Sequence, residues 1–233
     1  MALKRKILFF LPIVLVLVAV YKFSNVDVNV TEADVQAIKQ LKIKDDCSLI
    51  NSFENELKCI QAIQNAVYTH VDVGEGIGIG DNQSREPLQL LAEGEGLCYD
   101  RSRFIEKVLS YYNFEIRHVS IFYSKEASSL AFLDKAAKSH AFLEVFTSQG
   151  WLLVDSIDSF IAIDKEKNIY TATALRDMKD RIKFVDFFGN SLPQNFYKNY
   201  SVIYGLYSRH GKFYPPYTPI PDINWKQLIK YNW

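Results

Sequence analysis

Three observations predict a fold that mixes helices with an antiparallel sheet. Residues 52–70 (SFENELKCIQAIQNAVYTH) place Leu57, Ile60, Ile63 and Val67 at helical spacing. The stretch CYDRSRFIEKVLSYY repeats that spacing with Phe104, Ile105, Val108, Leu109 and Tyr112. Further on, HAFLEVF and WLLVD alternate about the turn TSQG, as the two arms of a hairpin do. The 233 residues suit one domain or a small pair, and 48 % hydrophobic with 23 % charged residues argues against a disordered chain. Lys plus Arg equals Asp plus Glu at 27 each, so there is no basic footprint and nucleic acid is not an expected partner.

The first element is apolar. Between Lys6 and Lys22 runs ILFFLPIVLVLVAVY, fifteen residues without a charge. As a helix it spans about 22 Å, and Phe23 with the apolar stems of Lys6 and Lys22 can extend it. Ala19 follows the bulky Leu17 two positions on, a poor signal-peptidase site. An uncleaved membrane-spanning anchor over residues 1–23 is therefore expected, with Lys4, Arg5 and Lys6 in the cytoplasm and the remainder periplasmic or extracellular. Residues 24–50 are polar and read as a stalk or an early helix.

Ser52 suits a helix start for 52–70. The Gly-rich VGEGIGIGDNQSREP lacks a helix opening directly after it, so it reads as a loop rather than a phosphate cradle. Gly94 and Gly96 give a tight entry to the helix at Cys98, Asp100 sits in its first turn, and Asn113 is its stop. EIRHVSIFY reads as a strand, as do the two hairpin arms. Residues 171–183 read as another helix, and PPYTPIP breaks regular structure.

Three cysteines are an odd number for an exported chain. Cys47 and Cys59 are disulfide candidates twelve residues apart, the alternative being two buried thiols. Either way Cys98 is left over. No C-x-x-C occurs, and neither metal nor cofactor is expected. A thiol at a helix N-terminus, an imidazole and a carboxylate behind it make a nucleophile, its proton carrier and an orienting group. The candidates are Cys98, His140 and Asp155, with Asp158 competing for the last role. A four-residue turn (Thr147–Gly150) sets Phe146 facing Trp151 and puts His140 and Asp155 diagonally on one face; a two-residue turn (Thr147–Ser148) sets them directly opposite; a three-residue loop would part them. His118 and His70 read as structural and His210 is unassigned.

The segments GEGLCYDRSRFIEKVLSYYNFEIRHVSIF, HAFLEVF and WLLVDSI resemble the transglutaminase-like (papain-like thiol) superfamily across roughly residues 55–165. The matching positions are Gly96, Cys98, Arg117, His140, Ala141, Phe142, Glu144, Trp151 and Asp155. Phe142 stands where Trp is frequent and Ser156 where Pro is. The resemblance implies an α+β fold with the Cys-bearing helix packed on an antiparallel sheet, and a Cys98–His140–Asp155 triad. The Cys98 N–H is one oxyanion donor; Gln83, Gln89 or Asn65 is the candidate second. The expected layout is an anchor (1–23), a stalk or helix (24–50), a transglutaminase-like domain (51–190) and an aromatic, Pro-rich extension (191–233). The expected activity is thiol acyl transfer on a peptide or amide-bearing substrate, favouring hydrolysis. The alternative is a non-catalytic scaffold in a cell-envelope assembly, such as one handling surface polysaccharide.

Overall fold

The computed structural model describes residues 2–43, 47–48, 50–74, 85–123, 137–178, 184–207 and 222–233, with side chains in the first helix from residue 12 onward. Helix α1 (Ala2–Ser24) leads to α2 (Glu32–Gln40), which Thr31 and Asp34 close with a reciprocal cap. Helix α3 (Phe53–His70) starts at Ser52, whose hydroxyl accepts from the Asn55 N–H. Its stripe of Leu57, Ile60, Ile63 and Val67 is buried, as the spacing predicts. The short strand β1 (Asp72–Val73) pairs in parallel with β2 (Glu95–Gly96), and between them lies α4 (Pro87–Glu93), ended by Gly94 at φ +73°. Most of the Gly-rich stretch lies outside the described residues.

Helix α5 (Cys98–Tyr111) opens on the thiol itself. After Asn113, left-handed at φ +66°, the chain enters β3 (Glu115–Tyr123). Strands β4 (Ser139–Thr147) and β5 (Gly150–Val154) form the hairpin. Phe146 faces Trp151 as one of the predicted registers requires, and the ladder runs one rung further, to Thr147 and Gly150. The predicted helix at 171–183 is shorter than expected: α6 spans Ala172–Asp177 and Met178 turns extended at ψ 127°, while 179–183 lies outside the described residues.

The C-terminal region is woven into this frame. Strand β6 (Tyr200–Tyr204) pairs with β3, giving a four-stranded antiparallel sheet in the order β5-β4-β3-β6. Strands β7 (Leu206–Tyr207) and β8 (Asp222–Ile223) pair beside it, and α7 (Trp225–Asn232) closes the chain. Alternation divides the sheet between two cores. Leu143, Val145, Leu152 and Val154 meet α3 and α5, whereas Val119, Ile121, Phe142 and Leu153 meet Phe160, Phe196 and Tyr200. The Cys47–Cys59 disulfide is formed and buried at the start of the first core.

Among the described residues no helix is long and apolar enough to cross a membrane. The span expected at residues 1–23 is thus not found among them, and half of it lies where side chains are undescribed. The described part of α1 carries exposed apolar residues from Ile13 to Val18, and the helix ends on the main body, where Trp225 Nε1–H donates to Ser24 Oγ at 2.9 Å.

Candidate active site

Cys98 is the first residue of α5, a free and half-buried thiol where the helix presents unpaired N–H groups. The entry is tight because Gly96 lies against Asp100: a Cβ there would stand 3.0 Å from the Asp100 Cβ. Asp100 reaches back to accept from the Leu97 N–H at 2.8 Å. Arg85 grips this buried carboxylate through Nε at 2.7 Å and Nη2 at 2.5 Å. Arg85 itself is held left-handed at φ +52°, an unusual conformation for a residue with a side chain.

His140 is the second residue of β4 and Asp155 directly follows β5. Their diagonal places Nε2 2.8 Å from Asp155 Oδ2, with both side chains buried. The other carboxylate oxygen accepts the N–H groups of Ile157 at 2.7 Å and Asp158 at 2.9 Å. Asp158 thus supports the carboxylate through its backbone, while Asp155 stands behind the imidazole. Two side chains that the motif reading missed fix the Asp155 main chain. Gln64 Nε2 donates to its carbonyl at 2.9 Å and Tyr68 Oη at 2.8 Å. A signal existed: Gln64 continues the apolar stripe of α3, a polar residue where the helix buries its face. Ser156 Oγ ties this corner to the Ala141 carbonyl at 2.5 Å.

Burial lowers the His140 pKa, but the charge and hydrogen bond of Asp155, then the hydrogen bond and charge of Cys98, outweigh it and push the ring up to about 10. With Nε2 committed to Asp155, Nδ1 is the nitrogen left for the Cys98 sulfur. Burial raises Asp155, yet the imidazolium and the two backbone N–H groups hold its carboxyl below the usual range. The ring packs edge-on to Phe196 at 6.1 Å and beside Phe142 at 5.6 Å.

Residues 48–156 match the core of the transglutaminase-like superfamily. That stretch is transglutaminase-like. No curated protein and no solved structure was found to match the chain.

The transglutaminase-like segment holds α3, α5, β3, β4 and β5, and with them Cys98, His140 and Asp155. Arg117 and Glu144, matched from the motif, form a pair at 2.5 Å inside the sheet, roofed by Trp151, Tyr204 and Tyr231. They brace β3 on β4 rather than face the thiol. Of the oxyanion candidates, Gln83 lies outside the described residues. Gln89 Oε1 accepts the Arg85 N–H at 2.9 Å, and Asn65 Oδ1 accepts from Ser159 Oγ at 3.4 Å. His118 is fully buried and stacked on Tyr207 at 4.0 Å; burial and then Arg103 lower its pKa to about 3, so it is neutral packing. His70 bonds the Ala66 carbonyl at 2.8 Å within its own helix, and His210 lies outside the described residues. Among the described residues no group of His, Cys, Asp and Glu is placed to hold a metal.

Proposed function

We propose that the chain is a thiol acyl-transfer enzyme that hydrolyses an amide or ester through a Cys98 acyl-enzyme. One observation carries the reading: a buried imidazole that feels the half-buried thiol at the α5 N-terminus stands 2.8 Å from a buried carboxylate. That order of groups supplies a nucleophile, a proton carrier and a tautomer-fixing partner. His140 takes the thiol proton at Nδ1, Cys98 Sγ attacks the carbonyl carbon, and His140 returns the proton to the leaving nitrogen or oxygen. Water, activated by the same imidazole, then releases the acid. A peptide or amide-bearing substrate suits this chemistry.

We further propose that α1 anchors the enzyme in a membrane with its domain outside the cytoplasm. The fifteen charge-free residues between Lys6 and Lys22 span about 22 Å, and Phe23 with the apolar stems of the flanking lysines extends that run towards a hydrocarbon core of about 30 Å. Leu15, Val16 and Leu17 are each about 60 % exposed, which water disfavours and lipid does not. The Cys47–Cys59 disulfide is at home in an oxidising space.

The test is iodoacetamide labelling of Cys98 from pH 4 to 9, in the wild type and in His140→Ala. Labelling that stays fast well below about pH 8 and collapses in the variant supports the thiolate–imidazolium pair. Slow labelling, unaffected by the variant, overturns it and leaves the scaffold reading.

A further inference from the structure

The oxyanion of the reaction proposed above needs a second donor besides the Cys98 N–H. Tyr123 is the last residue of β3. Its ring packs against the core that holds Phe142, Phe160 and Phe196, and Lys198 Nζ stands 5.3 Å over the ring from the surface side. Its hydroxyl oxygen is buried and has no hydrogen-bond partner. Buried hydroxyls are nearly always paired, so an unpaired one marks a group waiting for a partner.

The sheet register says where that hydroxyl belongs. Ile121 faces His140 across the β3–β4 ladder, and Phe122 faces Ser139. The Tyr123 N–H continues the pairing by donating to the Lys138 carbonyl at 2.9 Å. Alternation therefore puts Tyr123 on the His140 face, one diagonal step from the imidazole, a distance that a long aromatic side chain covers. Burial, then the charges of Asp155 and Cys98, raise the phenol above its ordinary pKa, which keeps it a protonated donor beside the thiol.

We propose that Tyr123 Oη–H, with the Cys98 backbone N–H, binds the carbonyl oxygen of the acyl group and stabilises the tetrahedral intermediate. This rests on Cys98 being an acyl-transfer nucleophile. As the S–C bond forms, the carbonyl π pair moves onto oxygen, and Tyr123 donates to that oxyanion while keeping its own proton. When the pair returns, the bond to the leaving group breaks, and that group takes the proton from His140.

The experiment compares Tyr123→Phe with the wild type, both as the whole 233-residue chain, in two reactions of one thiol. Iodoacetamide alkylation is a displacement without an oxyanion; acetylation by p-nitrophenyl acetate passes through one. Alkylation and its pH profile should stay within about twofold, while acetylation of Cys98, followed by nitrophenolate release and by mass, falls about 100- to 1,000-fold. Tyr123→Phe that is acetylated at the wild-type rate overturns this assignment and leaves the acyl-transfer reading intact. Alkylation and acetylation falling together also overturn it, because the tyrosine then acts through the thiol–imidazole pair or the fold. A wild type that alkylates but is never acetylated overturns both proposals.

Discussion

Asp155 receives more donors than any other group at the site: His140 Nε2 on one carboxylate oxygen, two backbone N–H groups on the other, and Gln64 and Tyr68 on its carbonyl. Such saturation holds the imidazole in one orientation. Asp155→Asn keeps the shape but removes the charge that holds His140 near 10. The alkaline limb of the pH–rate profile for acetylation should then move towards the ordinary imidazole range of about 6.5, and the plateau rate should drop at least about 100-fold. A limb that stays in place would show that Asp155 does not set the ring's charge. Gln64→Leu should cost about 1–3 kcal/mol by urea denaturation, because the Asp155 and Phe160 carbonyls at 2.9 and 3.1 Å lose a donor in a dry place. Its effect on acetylation should be smaller than that of Asp155→Asn.

At the scale of elements, the entry to α5 and the β4–β5 hairpin do the positioning. The entry depends on Arg85 against Asp100, a buried pair at 2.5 Å. Arg85→Met leaves a carboxylate that burial alone would push up, and the loss should be about 3–5 kcal/mol. Adding Asp100→Asn should restore most of it, which a double-mutant cycle in urea would measure; additive losses would refute the coupling. The hairpin is legible in the sequence because HAFLEVF alternates and the turn residues bracket only a few registers. Its outcome, Phe146 facing Trp151, puts His140 and Asp155 on one face. Helix α5 is less legible. Its apolar positions are plain, but they leave unspoken that Arg103, Glu106 and Lys107 are buried as well. They pair with Glu86, Tyr207 and Asp34, partners that other elements bring from far along the chain.

At the scale of the molecule, two features tie distant parts together. The disulfide ties Cys59 of α3 to Cys47, twelve residues before it, so Cys59→Ser should cost about 3 kcal/mol. For a chain of this size that is a Tm loss of roughly 6–12 °C by calorimetry, matched when the wild type is reduced. The buried His140–Asp155 pair sets a pH dependence. His140 is raised above 6.5, so its share of stability is complete below about pH 6.5 and is lost as pH climbs towards 10. Asp155 is lowered below 3.8, so its share is complete above about pH 4 and is lost on further acidification. The Tm gap between wild type and His140→Gln should therefore be widest between about pH 4 and 6.5 and narrow on the alkaline side. A gap that widens with rising pH would contradict the raised imidazole.

Local periodicity and cap chemistry act within a few residues of each other, which is why the helix from Ser52, the helix that opens on Cys98, strands β3, β4 and β5, and the order of Cys98, His140 and Asp155 are legible in the sequence. Only the tertiary structure decided what surrounds them. It set Gln64 and Tyr68 behind Asp155, and Phe196 beside His140. It also added β6 to the sheet, with Tyr204 over Arg117, from a region that reads as an extension. It left the Tyr123 hydroxyl buried and unpaired beside the site. These depend on register and on packing between segments as far as 91 residues apart. Side-chain periodicity along one segment carries no record of which other segment will lie against it.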